Sequence, residues 1–112
     1  LERMNAIEDI DTVNHTIVAQ AGVTLQQLQD AAAEHGMYYP VDLGARGTAT
    51  VGGMIATNAG GNRTLRWGMT RDRVLGLEVI LPDGELFEFL CQFCWTQLGK
   101  RKVEQERPAL IL

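Results

Sequence analysis

The sequence has no apolar run approaching the ~20 residues that a membrane-spanning helix requires. Cysteine occurs twice in 112 residues, which excludes a disulfide-dense scaffold. Basic residues are in the minority, 10 Lys+Arg against 14 Asp+Glu, giving a formal net charge of −4. That balance argues against general nucleic-acid binding, which needs a basic face. Aromatics are sparse at 6%, yet apolar residues make up 46% and charged ones 21%, so disordered and collagen-like classes are excluded as well. One folded domain is the expectation at this length. Leu1-Glu2-Arg3-Met4-Asn5 has neither a basic leader nor an apolar targeting core, so the expected location is cytoplasmic. Residue 1 is not methionine and strand-like residues follow it, so the chain is expected to be a fragment.

The first 90 residues contain no lysine and no cysteine, whereas Cys91, Cys94, Lys100 and Lys102 crowd the last 22. This seam near Leu90 divides the chain into 1–89 and a divergent tail, 90–112, expected to lie outside the core. Val13 to Ala21 alternates as a strand should, with Val13, His15, Ile17, Ala19 and Ala21 on one side. Thr24 and Gln27 have capping-box spacing, and Leu25, Leu28 and Ala32 form one apolar stripe, which predicts a helix over 25–35 closed by Gly36. Tyr38-Tyr39-Pro40 should be extended, because proline disfavours helix in the residue before it. Val51 to Asn58 has room for one or two helical turns built of small residues. Leu75 to Leu81, a turn at Pro82-Asp83-Gly84, and Glu85 to Phe89 read as a hairpin. No internal repeat is present.

Chemistry concentrates in Thr48-Ala49-Thr50-Val51-Gly52-Gly53-Met54-Ile55-Ala56-Thr57-Asn58-Ala59-Gly60-Gly61. Two glycine pairs bracket small residues, allowing backbone to approach a flat or phosphorylated ligand closely. A helix between the pairs would aim free amides at an anion. The segment is neither a P-loop nor a Gly-x-Gly-x-x-Gly fingerprint. On the residues alone, a tight turn and a ligand cradle stand level.

Three stretches resemble a known family: Ala21-Gly22-Val23, Tyr39-Pro40-Val41-Asp42-Leu43-Gly44-Ala45, and Thr50-Val51-Gly52-Gly53 through Asn58-Ala59-Gly60-Gly61. Trp67-Gly68-Met69-Thr70-Arg71-Asp72 and Leu75 to Gly84 continue in the same order. Together they resemble the FAD-binding, PCMH-type domain of the vanillyl-alcohol oxidase superfamily. The branch most alike is that of the D-lactate, D-2-hydroxyglutarate and glycolate dehydrogenases. The resemblance implies an α+β fold, the second FAD-binding subdomain, with a sheet flanked by helices. It implies FAD as cofactor and, in an intact enzyme, hydride transfer from a small 2-hydroxy acid to flavin N5. Pro40, Thr50, Gly52 and Gly53 would lie along the flavin and its pyrophosphate. Ala56, Asn58, Gly60 and Gly61 would approach the isoalloxazine ring or ribityl chain, with Trp67 and Gly68 beside them. Trp67 stands where the family more often has tyrosine; an indole supplies an apolar wall and one N–H donor. No base for substrate oxidation is implied within this chain, and the fragment alone should not turn over. The other FAD subdomain, a further flavin segment and the substrate domain belong elsewhere in such an enzyme.

The remaining candidates have plainer readings. Arg63 and Arg66 could touch an anionic ligand through their guanidinium forks, or form a solvated face. Arg71-Asp72 reads as structural, closing the loop before a strand. His15 and His35 are separated by a helix and have no third partner, and Cys91-Gln92-Phe93-Cys94 lacks the second ligand pair that zinc would need. The rival to the flavin reading is a stand-alone structural or interaction domain that keeps its glycine-rich turns.

Overall fold

The computed structural model describes residues 2–90 and 110–111. Two strands open it, β1 (Ile7–Asp11) and β2 (Thr16–Ala19), paired antiparallel with Asp11 opposite Thr16. The reversal between them is made by Asp11, whose Oδ1 accepts from the amides of Val13 and Asn14 at 2.9 and 3.0 Å. His15 then takes φ +54°. The strand expected from Val13 therefore begins three residues later, because the Asp11 side chain offers those amides a turn in place of a ladder. Val13, at 86% exposure, is left in solvent.

Helix α1 (Leu25–Glu34) follows the sequence pattern closely. The Thr24 hydroxyl accepts from the Gln27 amide at 3.2 Å, and Gln27 Oε1 accepts from the Thr24 amide at 3.0 Å, completing the capping box. At the other end Gly36, at φ +70°, lets the Gly36 and Met37 amides reach back to Ala33 and Ala32 at 3.1 and 2.8 Å. Leu25, Leu28 and Ala32 are buried against Ile17 and Ala19 of β2, Val23, Tyr39, Val41, and Val51 and Met54 of the next helix. That helix, α2 (Val51–Thr57), precedes a single turn α3 (Thr64–Trp67) and a 3-10 turn over Thr70–Arg73.

Strands β3 (Gly76–Ile80) and β4 (Leu86–Leu90) form the expected hairpin, with Gly76 opposite Leu90 and Ile80 opposite Leu86. Leu81 and Glu85 close it by a 2.8 Å amide–carbonyl bond around Pro82-Asp83-Gly84. A short strand β5 (Leu110–Ile111) lies between β2 and β3, giving one antiparallel sheet in the order β1-β2-β5-β3-β4. Leu110 and Ile111 thus join the sheet, although the stretch from Leu90 was expected outside the core. The rest of that stretch, including Cys91 and Cys94, lies outside the described residues. Mixed helices and strands around one core make the fold α+β.

Candidate functional site

The glycine-rich segment is organised by two helix N-termini that cap each other. The Leu25 amide, first of α1, donates to the Ala49 carbonyl at 2.8 Å, and the Val51 amide, first of α2, donates to the Val23 carbonyl at 2.8 Å. One residue on, Gln26 donates to Arg46 at 3.0 Å and Gly52 to Ala21 at 2.8 Å. The third amide of each helix goes to its own threonine, Gln27 to Thr24 and Gly53 to Thr50, both at 3.2 Å. Helix N-termini normally leave such amides open to an anion. Here the first three of each are satisfied within the chain, so α2 does not present the free amides anticipated for it.

This reciprocal arrangement explains several of the glycines. A β-carbon on Gly52 would come within 2.9 Å of the Ala21 β-carbon, so the close approach of the two helix ends needs small residues on both sides. Gly61 lies flat against the Asp42 backbone, where a β-carbon would collide with the carbonyl oxygen and come within 2.7 Å of its carbon. Gly60 is crowded by Thr64 Oγ1 at 2.9 Å and Met69 Cε at 3.2 Å, and Gly68 by the Asp72 carboxylate at 2.5 Å. Gly52 and Gly61, which press on backbone, and Gly68, at φ +78°, are demanded by the protein itself. Gly44 and Gly47 differ: a β-carbon there meets nothing within 4 Å among the described residues. Gly53 meets only the Thr50 hydroxyl, at 3.1 Å.

The other anticipated residues divide in the same way. Pro40 is buried between Tyr39 and Val41, while Gly53 and Ala56 are exposed on the outer face of α2. Asn58 takes the left-handed conformation that ends α2, and its side chain serves the protein. Its Oδ1 accepts from the Arg71 amide at 3.1 Å, and its amide group faces Met69 Sδ at 3.7 Å. Arg71 closes the same helix end by donating to the Ile55 and Ala56 carbonyls at 3.1 and 3.0 Å, the structural role expected of it. Trp67 is half-buried, edge-on to Tyr38 with ring centroids 6.2 Å apart. The Arg66 guanidinium lies 4.9 Å over the indole and that of Arg63 lies 5.3 Å over the Tyr38 ring. His15 and His35 sit apart, and no cluster of metal-ligating side chains occurs among the described residues.

Two residues given no role by the sequence reading hold this region together. The Asp42 carboxylate is only 14% exposed; it lies 3.1 Å from Arg46 Nε and 3.9 Å from Arg63 Nη2. Its carbonyl accepts from the Asn62 amide at 3.2 Å, beside Gly61. The signal available was the opposite charge four residues apart in Asp42 and Arg46, easily passed over inside a loop. Tyr39 is buried and its hydroxyl has no hydrogen-bond partner among the described residues; burial pushes its pKa up to about 12, against the opposing influence of Arg73. Arg73 donates through Nη2 to the Trp67 carbonyl at 2.5 Å.

As a surface for a large planar cofactor, this region offers open backbone at Gly44, Gly47 and Gly53 and the exposed Ala56 beside it. The second glycine pair contributes backbone held in place by Asp42. Comparison with known proteins gives the class. Residues 1–90 match the family described as FAD binding domain, and the chain belongs to that family. FAD is the cofactor that the family match indicates. It is 50% identical over 88 residues to a D-2-hydroxyglutarate dehydrogenase of Xanthomonas citri pv. viticola, covering 79% of this chain. It is 53% identical over 85 residues to a D-lactate dehydrogenase of Archaeoglobus fulgidus, covering 76% of this chain. A mitochondrial D-2-hydroxyglutarate dehydrogenase of Bos taurus is 44% identical over 109 residues, 97% of this chain, so that likeness extends past Leu90. The chain spans 19% of the length of each of these relatives.

Proposed function

We propose that this chain is part of the flavin cradle, a PCMH-type second FAD subdomain, of a dehydrogenase that oxidises a small 2-hydroxy acid. The observation that carries the reading is the family match over residues 1–90 together with relatives named for D-2-hydroxyglutarate and D-lactate. When bound, FAD would supply the oxidising power, serving as hydride acceptor for conversion of a 2-hydroxy acid to a 2-oxo acid. This chain's part is to hold and orient. Gly53 and Ala56 offer the exposed face of α2, with the half-buried Thr50 as its N-cap, and Gly44 and Gly47 offer backbone with open space in front of it among the described residues. Gly52, Gly60, Gly61 and Gly68 act one step behind, by letting the segments pack closely enough to form that face. Trp67 supplies an apolar wall, stiffened by Tyr38 and Arg66. Pro40 and Asn58 are turned inward and shape the face without forming it.

A chimera tests the reading. Residues 1–90 replace the matching segment of the Xanthomonas citri relative, and the purified product is assayed for bound flavin absorbance and for oxidation of D-2-hydroxyglutarate. Retention of both supports the proposal, and a folded, colourless chimera overturns it.

A further inference from the structure

Asp42 joins two pieces of the candidate cradle, the Gly44–Gly47 loop that follows it directly and the Gly60–Arg63 stretch remote from it in sequence. Through its carbonyl it holds the Asn62 amide and forms the floor under Gly61. Through its carboxylate it reaches Arg46, in the loop containing Gly44 and Gly47, and Arg63, at the start of α3. Arg63 in turn covers the ring of Tyr38, which meets Trp67 edge-on. Both arginines are about half exposed, at 50% and 45%, whereas the carboxylate between them is largely buried. A buried anion flanked by two exposed cations is a hinge pin rather than a surface ion pair, since moving either loop leaves the carboxylate without compensation.

We infer that Asp42 is a positioning residue for FAD: it fixes the spacing between the Gly44–Gly47 loop and the Gly60–Gly61 pair so that both face one ligand. The inference rests on the flavin reading above and goes beyond it by assigning the residue that sets the geometry. It also predicts a sign. Asp42, Arg46 and Arg63 together carry one net positive charge, and FAD is an anion. If Asp42 acted only through its charge, replacing it by a neutral isostere would strengthen FAD binding. A positioning role predicts the reverse.

The experiment titrates the full chain with FAD, following flavin fluorescence and the visible circular dichroism of the bound form, for the wild type, Asp42→Asn and Asp42→Glu. The expected result is affinity about tenfold weaker in Asp42→Asn, from loss of the ion pairs to Arg46 and Arg63 that hold the two loops together. The dichroic band should change shape, and Asp42→Glu should restore part of the affinity. Equal or tighter binding by Asp42→Asn overturns the inference. Should Asp42→Asn not fold, Arg63→Gln probes the same pin from its exposed end. The Asn62 amide should then exchange faster with solvent, and unchanged protection overturns the inference. If the wild type binds no FAD by itself, the same variants are titrated in the chimera described above, and the pin is judged without ligand on the same Asn62 exchange. Faster exchange in Arg63→Gln sustains it as a structural pin, and no change removes it.

Discussion

Gly61 offers a sharp test of whether the glycine pairs serve the ligand or the protein. Its φ lies outside the left-handed region, so alanine meets no backbone strain there, and the whole effect of Gly61→Ala is steric. The added methyl would drive into the Asp42 carbonyl, backbone that cannot rotate away as a side chain would. Overpacking of this kind costs typically 1–3 kcal/mol. Separating the strips also stretches the 3.2 Å bond from the Asn62 amide to Asp42, worth ~1 kcal/mol. The sum is about 2–4 kcal/mol, a large share of the ~5–15 kcal/mol that holds a domain folded. For a domain of this size each kcal/mol moves the thermal midpoint by roughly 4–8 °C, so Gly61→Ala should melt at least ~8 °C below wild type. Gly44→Ala is the control, since its methyl meets nothing and its φ is also ordinary. It should be neutral or stabilising by about 0.4–1 kcal/mol through the unfolded chain. Thermal unfolding of ligand-free protein, followed by far-ultraviolet circular dichroism, separates the two. Gly61→Ala melting within a degree of wild type would refute the reasoning, and the glycine would then have to be explained by the ligand.

Three other outcomes are expected. Thr24→Ala removes half of the α1 capping box and should cost ~1 kcal/mol in denaturant unfolding; an unchanged midpoint counts against the cap. Tyr39 keeps its proton more tightly when folded, at a pKa of about 12 against 10.0, so stability is fully present below pH 10 and falls as pH rises from 10 to 12. The loss, about 3 kcal/mol at most, should vanish in Tyr39→Phe, which itself should match or exceed wild-type stability at pH 7 because an unpaired buried hydroxyl is gone. Ile111→Pro deletes an amide from the strand that bridges β2 and β3, and should expose the β2 amides to faster hydrogen exchange; unaltered protection there would argue against the bridge.

Where structure was written locally, it was legible. The Thr24–Gln27 spacing, the Leu25-Leu28-Ala32 stripe and Gly36 marked α1 almost to the residue, because capping and amphipathic burial act within one or two turns. The β3–β4 hairpin was readable for the same reason, its turn residues and apolar runs being contiguous. The onset of β2 was misjudged because alternation from Val13 was outweighed by an Asp11 side chain that captures two amides. The family resemblance located the glycine-rich edge, and membership in the FAD binding domain family agrees with it.

The reason for Gly52 and Gly61, in contrast, was settled only by tertiary contact. Sequence by itself determined that backbone here must come close to something. The fold decided that at Gly52 and Gly61 the something is Ala21 and Asp42, residues 31 and 19 positions earlier in the chain (52 − 21 and 61 − 42). It likewise decided that the amides of α2 face Val23 and Ala21 rather than an anion, and that Leu110–Ile111 completes the sheet. A glycine records the absence of a side chain and not the identity of its neighbour, and an amide in sequence has no direction until the chain has folded around it.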